Sequence, residues 1–314
     1  MNPLSAGVYL DRALELMHTH AIYTPAAGWD ALSAKARAMA ERAKTLSDAY
    51  GAIEYAIAQL QRAGDLHASF TNALTAKLEH QSGAPSASTP PPALSLVAPG
   101  LGSITLPAIG SRPRSSDARH YMSSALSALA SLEKTKHPCG WVIDLRANSG
   151  GDVWPMLLSV GPILGGGRLI GFTDKNGSAQ TTVSYRQGTL SGGGYAARAP
   201  LTIGDFAPPP AVAVLTGPLT LSSGEAVAIA FRGRPLTRSF GSRTGGATNS
   251  PHAYHLADGA IIGFSTQWDK DRRDRVYRHA LTPDTLVPTR AGQDDTLRAA
   301  TEWLASTATC THNN

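Results

Sequence analysis

The stretch of this chain that most restricts its possible folds runs from Ala211 to Phe231. Its first half, Ala211 to Leu215, is an apolar run of strand length that Gly217 and Pro218 bring to a stop. Its second half, Ser223 to Arg232, has helical composition. A short apolar strand turned tightly into a helix is a building unit of an α/β core. Thr220, Ser222 and Ser223 lie in the connection, at a helix N-terminus where unpaired N–H groups and the helix dipole favour negative charge. A serine in that position is either an N-cap, with Glu225 falling in the first turn, or a nucleophile.

Composition narrows the class. Of the 314 residues, 16% are charged and 42% apolar, the balance of a globular chain rather than a disordered one. The net charge of +5 comes without any long run of Lys or Arg, which speaks against nucleic acid as a partner. Pro218 and Glu225 interrupt the best apolar stretch well short of the ~20 residues of a membrane span, so no membrane insertion is expected. Asp11, Arg12 and Glu15 occupy the place where a signal peptide would need an apolar region. The chain therefore reads as cytoplasmic as it stands, or as periplasmic or secreted if a leader has been removed. Cys139 and Cys310 define neither a metal cluster nor a disulfide framework, and no metal or cofactor is implied.

Residues 4–62 carry apolar side chains at helical spacing in three successive windows, for example Leu10, Ala13, Leu14 and Met17, then Leu32, Ala36 and Met39, then Ile53, Ile57 and Leu60, with Ser47 as an N-cap. This predicts a three-helix bundle over residues 1–80, ending in the turn Gly64-Asp65-Leu66-His67. A histidine in such a turn is structural, exposed or chemical. The Pro- and Ser-rich residues 81–92 read as a linker, and residues 93–314 as an α/β core.

Strands are expected at Leu94 to Val97, Ser103 to Leu106 and Gly140 to Leu145, and a helix at Val153 to Leu164. Further strand-like pieces, a hairpin at Asp258-Gly259, a charged turn at Asp269 to Asp274 and a last helix at Asp294 to Leu304 complete the pattern. The turn at Gly150-Gly151 is either an ordinary strand-to-helix connection or a source of N–H groups for a developing oxyanion. A nucleotide site is not indicated, since no Gly-x-Gly-x-x-Gly opens a helix there.

Taken together, these segments form a pattern. Val142-Ile-Asp-Leu-Arg-Ala-Asn-Ser-Gly-Gly151 resembles the Asp-Leu-Arg-x-Asn-x-Gly-Gly signature of the tail-specific, or C-terminal processing, serine peptidases, and Thr220-Leu-Ser-Ser-Gly-Glu225 resembles their nucleophile segment. That family includes the tricorn core protease, nisin-resistance protease and interphotoreceptor retinoid-binding protein. The resemblance extends to a helical bundle ending in Gly-Asp-x-His and to Gly241 to Thr248, Asp258-Gly259 and Pro283-Asp284. It implies a ClpP/crotonase-like α/β (α+β) core behind the three-helix bundle. The short Pro-rich stretch leaves no room for an inserted PDZ domain.

By the same resemblance the nucleophile is Ser222 and the general base His67. The oxyanion hole comes from the backbone of Gly150, Gly151 and Ser223, and the substrate is a peptide or protein. A Ser-Lys mechanism is not indicated, because Ala247 follows the Gly241 to Gly246 turn where a lysine is required. No glutamate in Asp269 to His279 matches the one that orients the histidine in the tricorn branch, which leaves Asp271 or Asp274 as substitutes. The reading is a serine endopeptidase with a Ser-His dyad. Its alternatives are a weakly active or inactive ligand-binding protein on the same scaffold, and an esterase or amidase acting on a non-peptide acyl substrate.

Overall fold

The structure, a computed structural model, describes residues 4–82, 89–110, 114–307 and 310. Half of the stretch expected to be a linker, residues 83–88, lies outside the described residues. The chain forms two compact units of mixed α/β structure. The first comprises residues 1–85, 173–178 and 249–268, the second residues 86–172, 179–248 and 269–314.

In the first unit, the helices Ala6–His20, Trp29–Met39 and Tyr50–Arg62 bury most of the side chains that the spacing selects, among them Leu10, Leu14, Met17, Leu32, Ile53 and Leu60, while Met39 at the end of the second helix is exposed. Ser47 is not the cap of the third helix. A 3₁₀ turn, Leu46–Ala49, precedes that helix, and the capping residue is Thr45, whose hydroxyl accepts from Asp48 N–H while the Asp48 carboxylate accepts from Thr45 N–H. Both residues are competent caps, and the reciprocal pair with an acidic residue three places on favours Thr45. The strands Asn249–His255 and Ile261–Asp271 form the expected hairpin around Asp258-Gly259, and Ser69–Thr71 pairs antiparallel with residues 261–263. Asp258 accepts from Tyr9 Oη at 2.8 Å and Tyr50 Oη at 2.6 Å, which joins two helices of the bundle to the hairpin tip.

The second unit is built on a six-stranded sheet in the order Thr285–Leu286, Thr237–Gly241, Ala211–Thr216, Gly140–Asp144, Leu101–Thr105, Ala93–Ala98. Neighbours are parallel except for the last pair. The strand Ala211–Thr216 is buried at every position, as the interior strand of a sheet covered on both faces must be. Trp141, Ile143, Val212 and Val214 pack with the helices Ser116–Lys136, Val153–Leu164 and Ser223–Phe231. Val142, Ala213 and Leu215 pack on the opposite face with Ala300 and Leu304 of the final helix, Asp295–Ala305.

The register pairs Asp144 with Leu215 and Thr216 with Gly241. The parallel strands therefore end together, and the loops after residues 144 and 216 leave from one edge, the carboxyl edge where α/β sheets build their sites. Cys139 and Cys310, given no role by the sequence, form a disulfide. The expected charged turn is shorter than its charges suggest, because the strand continues through Asp271 and leaves residues 272–274 to reverse the chain.

Candidate active site

Two loops meet at the carboxyl edge of the six-stranded sheet, and buried Asn148 holds them together. Its Nδ2 donates to Leu106 O at 2.9 Å, its Oδ1 accepts from Gly150 N–H at 2.9 Å, and its backbone carbonyl accepts from Leu221 N–H at 3.0 Å. Gly150 and Gly151 have φ of 106° and 108°, a region that side chains disfavour. Each is also closely approached. A Cβ on Gly150 would stand 2.8 Å from Ser222 Cβ, and one on Gly151 would stand 2.0 Å from Ile109 O. Gly150 thus fits directly against the serine segment, and Gly151 against Ile109.

Ser222 ends the second loop with φ of 50° and ψ of −120°. A non-glycine residue holds such a conformation only where its surroundings impose it. Here the constraint is a reversed cap, in which Ser222 N–H donates to Glu225 Oε2 at 3.1 Å. Glu225 is fully buried, and its other oxygen accepts from Thr244 Oγ1 and from Gly246 N–H at 3.0 Å. Burial raises its pKa against these hydrogen bonds. Ser223 opens the helix and donates from Oγ to Gly151 O at 2.6 Å. Of the three N–H groups expected at the site, that of Gly150 is turned to Asn148. Among the described residues, those of Gly151 and Ser223 meet no acceptor.

His67 lies in the first unit, in the turn after helix Tyr50–Arg62. Asp65 makes the turn, since its Oδ1 accepts from His67 N–H at 3.0 Å, an Asx geometry that the sequence Gly64-Asp65 favours. The imidazole Nδ1 lies 2.6 Å from Asn249 Oδ1. Asn249 donates through Nδ2 to Tyr23 Oη at 3.2 Å, so its oxygen is the acceptor facing the ring. That bond keeps the proton on Nδ1 and leaves Nε2 as the basic nitrogen. Ser265 completes the group. Its N–H donates to Asp65 Oδ2 at 2.9 Å, and its hydroxyl lies 2.6 Å from Asp65 Oδ1 and 2.7 Å from Asn249 Oδ1, able to donate to one at a time. Asp65, Ser265 and Asn249 are all buried.

The acidic residues considered as orienting groups have other partners. Asp271 accepts from Tyr277 Oη at 2.8 Å and from two backbone N–H groups, while Asp274 is paired with Arg168 and Lys270. Asp269 is fully buried, and burial together with the nearby Glu225 charge pushes its pKa up to about 8. Sequence reasoning missed Asn249, Ser265 and Tyr23. A buried serine inside the apolar strand Ala260 to Thr266 and an asparagine directly after the Gly241 to Thr248 landmark are the faint signals for two of them.

The chain matches peptidase family S41 over residues 100–287. Against the nisin-resistance protein of Lactococcus lactis subsp. lactis it is 29% identical over 205 residues, which span 65% of this chain and 59% of that relative. A lipoprotein from Streptococcus agalactiae has a similar fold, with a TM-score of 0.71 at 22% identity over 98% of both chains. The photosystem II D1 C-terminal processing protease also shares the fold, with a TM-score of 0.61 at 16% identity, over 94% of this chain and 99% of that one.

Proposed function

Since the chain belongs to peptidase family S41, we propose that it is a serine endopeptidase acting on peptides or proteins, with Ser222 as nucleophile and His67 as general base. The observation that carries the proposal is Ser222 itself, held at positive φ at the start of a helix, against the Gly150-Gly151 turn and beside the Ser223 N–H. Strain of this kind at a strand-to-helix turn is how nucleophilic serines are presented.

In the proposed reaction His67 Nε2 takes the Ser222 hydroxyl proton as Oγ adds to the scissile carbonyl. Asn249 holds the ring and the tautomer through Nδ1, the part played by asparagine in Cys-His-Asn enzymes. The N–H groups of Ser223 and the Gly150-Gly151 turn receive the oxyanion, with Gly151 foremost because Gly150 N–H already serves Asn148. Collapse of the tetrahedral intermediate expels the amine, which takes the proton back from Nε2. Water then repeats the sequence on the acyl-enzyme. The Cys139–Cys310 disulfide supports an oxidising compartment as the setting, because such bonds persist there.

Ser222→Ala is expected to lower kcat on a peptide substrate by ~10⁴-fold or more and to abolish labelling by a fluorophosphonate. Equal turnover by the variant and the wild type would overturn the assignment. Loss of ester but not peptide turnover would make the chain an esterase instead.

A further inference from the structure

Away from Ser222, the second unit gathers positive charge into one pocket. The sheet strands Ala211–Thr216 and Thr237–Gly241 form its floor, the end of helix Ser223–Phe231 one wall, and the turn from Asp271 to Tyr277 another. Its volume is about 610 Å³, within the range of small-molecule sites.

Five lining residues are arginines (232, 234, 238, 273 and 275) against two carboxylates, Asp271 and Asp284. Neither carboxylate is paired with the side chain of Arg238, Arg273 or Arg275. Asp271 is taken up by Tyr277 and the backbone of its own turn. Asp284 Oδ2 accepts from Ser239 N–H at 2.8 Å and Ser239 Oγ at 2.7 Å, and its Oδ1 meets Arg232 at 3.2 Å. Among the described residues Arg238, Arg273 and Arg275 have no carboxylate within ion-pair distance. Arg234 is only 6% exposed, and its Nη2 is buried with no acceptor among the described residues.

Neutralising the C-terminal end of the neighbouring helix does not account for this set, because Arg272, outside the pocket lining, donates to Ala230 O at 2.8 Å. Gathered guanidinium groups without counter-charge repel one another, and their planar forks match oxyanions bidentately.

We propose that this pocket binds a small multivalent oxyanion, a phosphate ester or a polycarboxylate, through the Arg238, Arg273 and Arg275 side chains. The test is calorimetric titration of the full chain with pyrophosphate and with citrate, against sodium chloride at matched ionic strength. Saturable binding with a dissociation constant below about 1 mM is expected for one or both. Tighter binding of pyrophosphate assigns the site to phosphates, and tighter binding of citrate to carboxylates. Arg238→Glu and Arg275→Glu, both at exposed positions, should each weaken binding about ten-fold or more, with the ligand-free unfolding midpoint unchanged to show that the fold is intact. Heats that do not saturate, displacement by chloride alone, or unchanged affinity in both variants would overturn the proposal.

Discussion

The serine and the histidine of this protein are held by different means. Around Ser222 most of the holding groups are backbone: the carbonyls of Asn148 and Gly151 and two glycines that let the loops touch, joined by the side chains of Asn148 and Glu225 from the same short segments. Around His67 they are side chains, with Asn249 on the ring and Ser265 and Asp65 behind it. A backbone device is specified by a short run of sequence and tolerates no added atom. A side-chain device is assembled from distant positions and tolerates substitution in proportion to what each group contributes.

The largest effect that this contrast predicts is at Gly151. A methyl group there meets Ile109 O at 2.0 Å on a backbone with φ of 108°, so Gly151→Ala should lose ~3 kcal/mol or more of stability, read from denaturant unfolding. A variant as stable as wild type would end the claim that the glycine turn has no room to yield.

At the histidine the expected loss is in rate. Asn249→Ala takes the acceptor away from Nδ1, and kcat should fall by ~10²-fold with little change in KM. Asn249→Asp, which restores an acceptor to Nδ1, should recover most of that loss. A silent Asn249→Ala would remove the asparagine from the mechanism and leave the histidine side of the contrast empty.

A change of pH sharpens the serine side, where one buried acid lies near Glu225. Asp269, with its pKa pushed up to about 8, keeps its proton in the folded state over a range in which the unfolded chain, titrating near ~4, has lost it. Stability should therefore fall as pH rises between those values, by at most about 1.4 kcal/mol per pH unit. Asp269→Asn cannot lose that proton, so its stability relative to wild type should improve steadily from pH 5 to pH 8. Parallel pH profiles would show that the acid is not held neutral.

The same division governs what can be read from sequence. The strand, turn and helix from Ala211 to Phe231 and the Gly150-Gly151 turn are legible because local pattern and local geometry coincide, and the bundle helices are legible from spacing. The supports of His67 are not, since Asn249 lies 182 positions from it and Ser265 lies 200 from Asp65. The turn at 269–274 misleads for a related reason. Charges suggest solvent, but Asp269 and Asp271 are buried, and Asp271 is satisfied by Tyr277 and backbone N–H groups that no pattern announces. Fold topology brings these partners together, and composition carries no trace of it.

The Cys139–Cys310 bond spans 171 positions, and it draws a covalent ring through the chain. Inside the ring lie Gly150, Ser222, Asn249 and Ser265, while Asp65 and His67 lie outside it. One cut anywhere within the ring leaves a nicked molecule whose pieces stay covalently joined, whereas one cut between His67 and Cys139 severs the histidine-bearing segment from the ring. Under the proposed peptidase activity, self-inflicted damage of the first kind passes unseen on a non-reducing gel and appears only after reduction. The bond therefore makes tolerance of self-cleavage unequal along the chain.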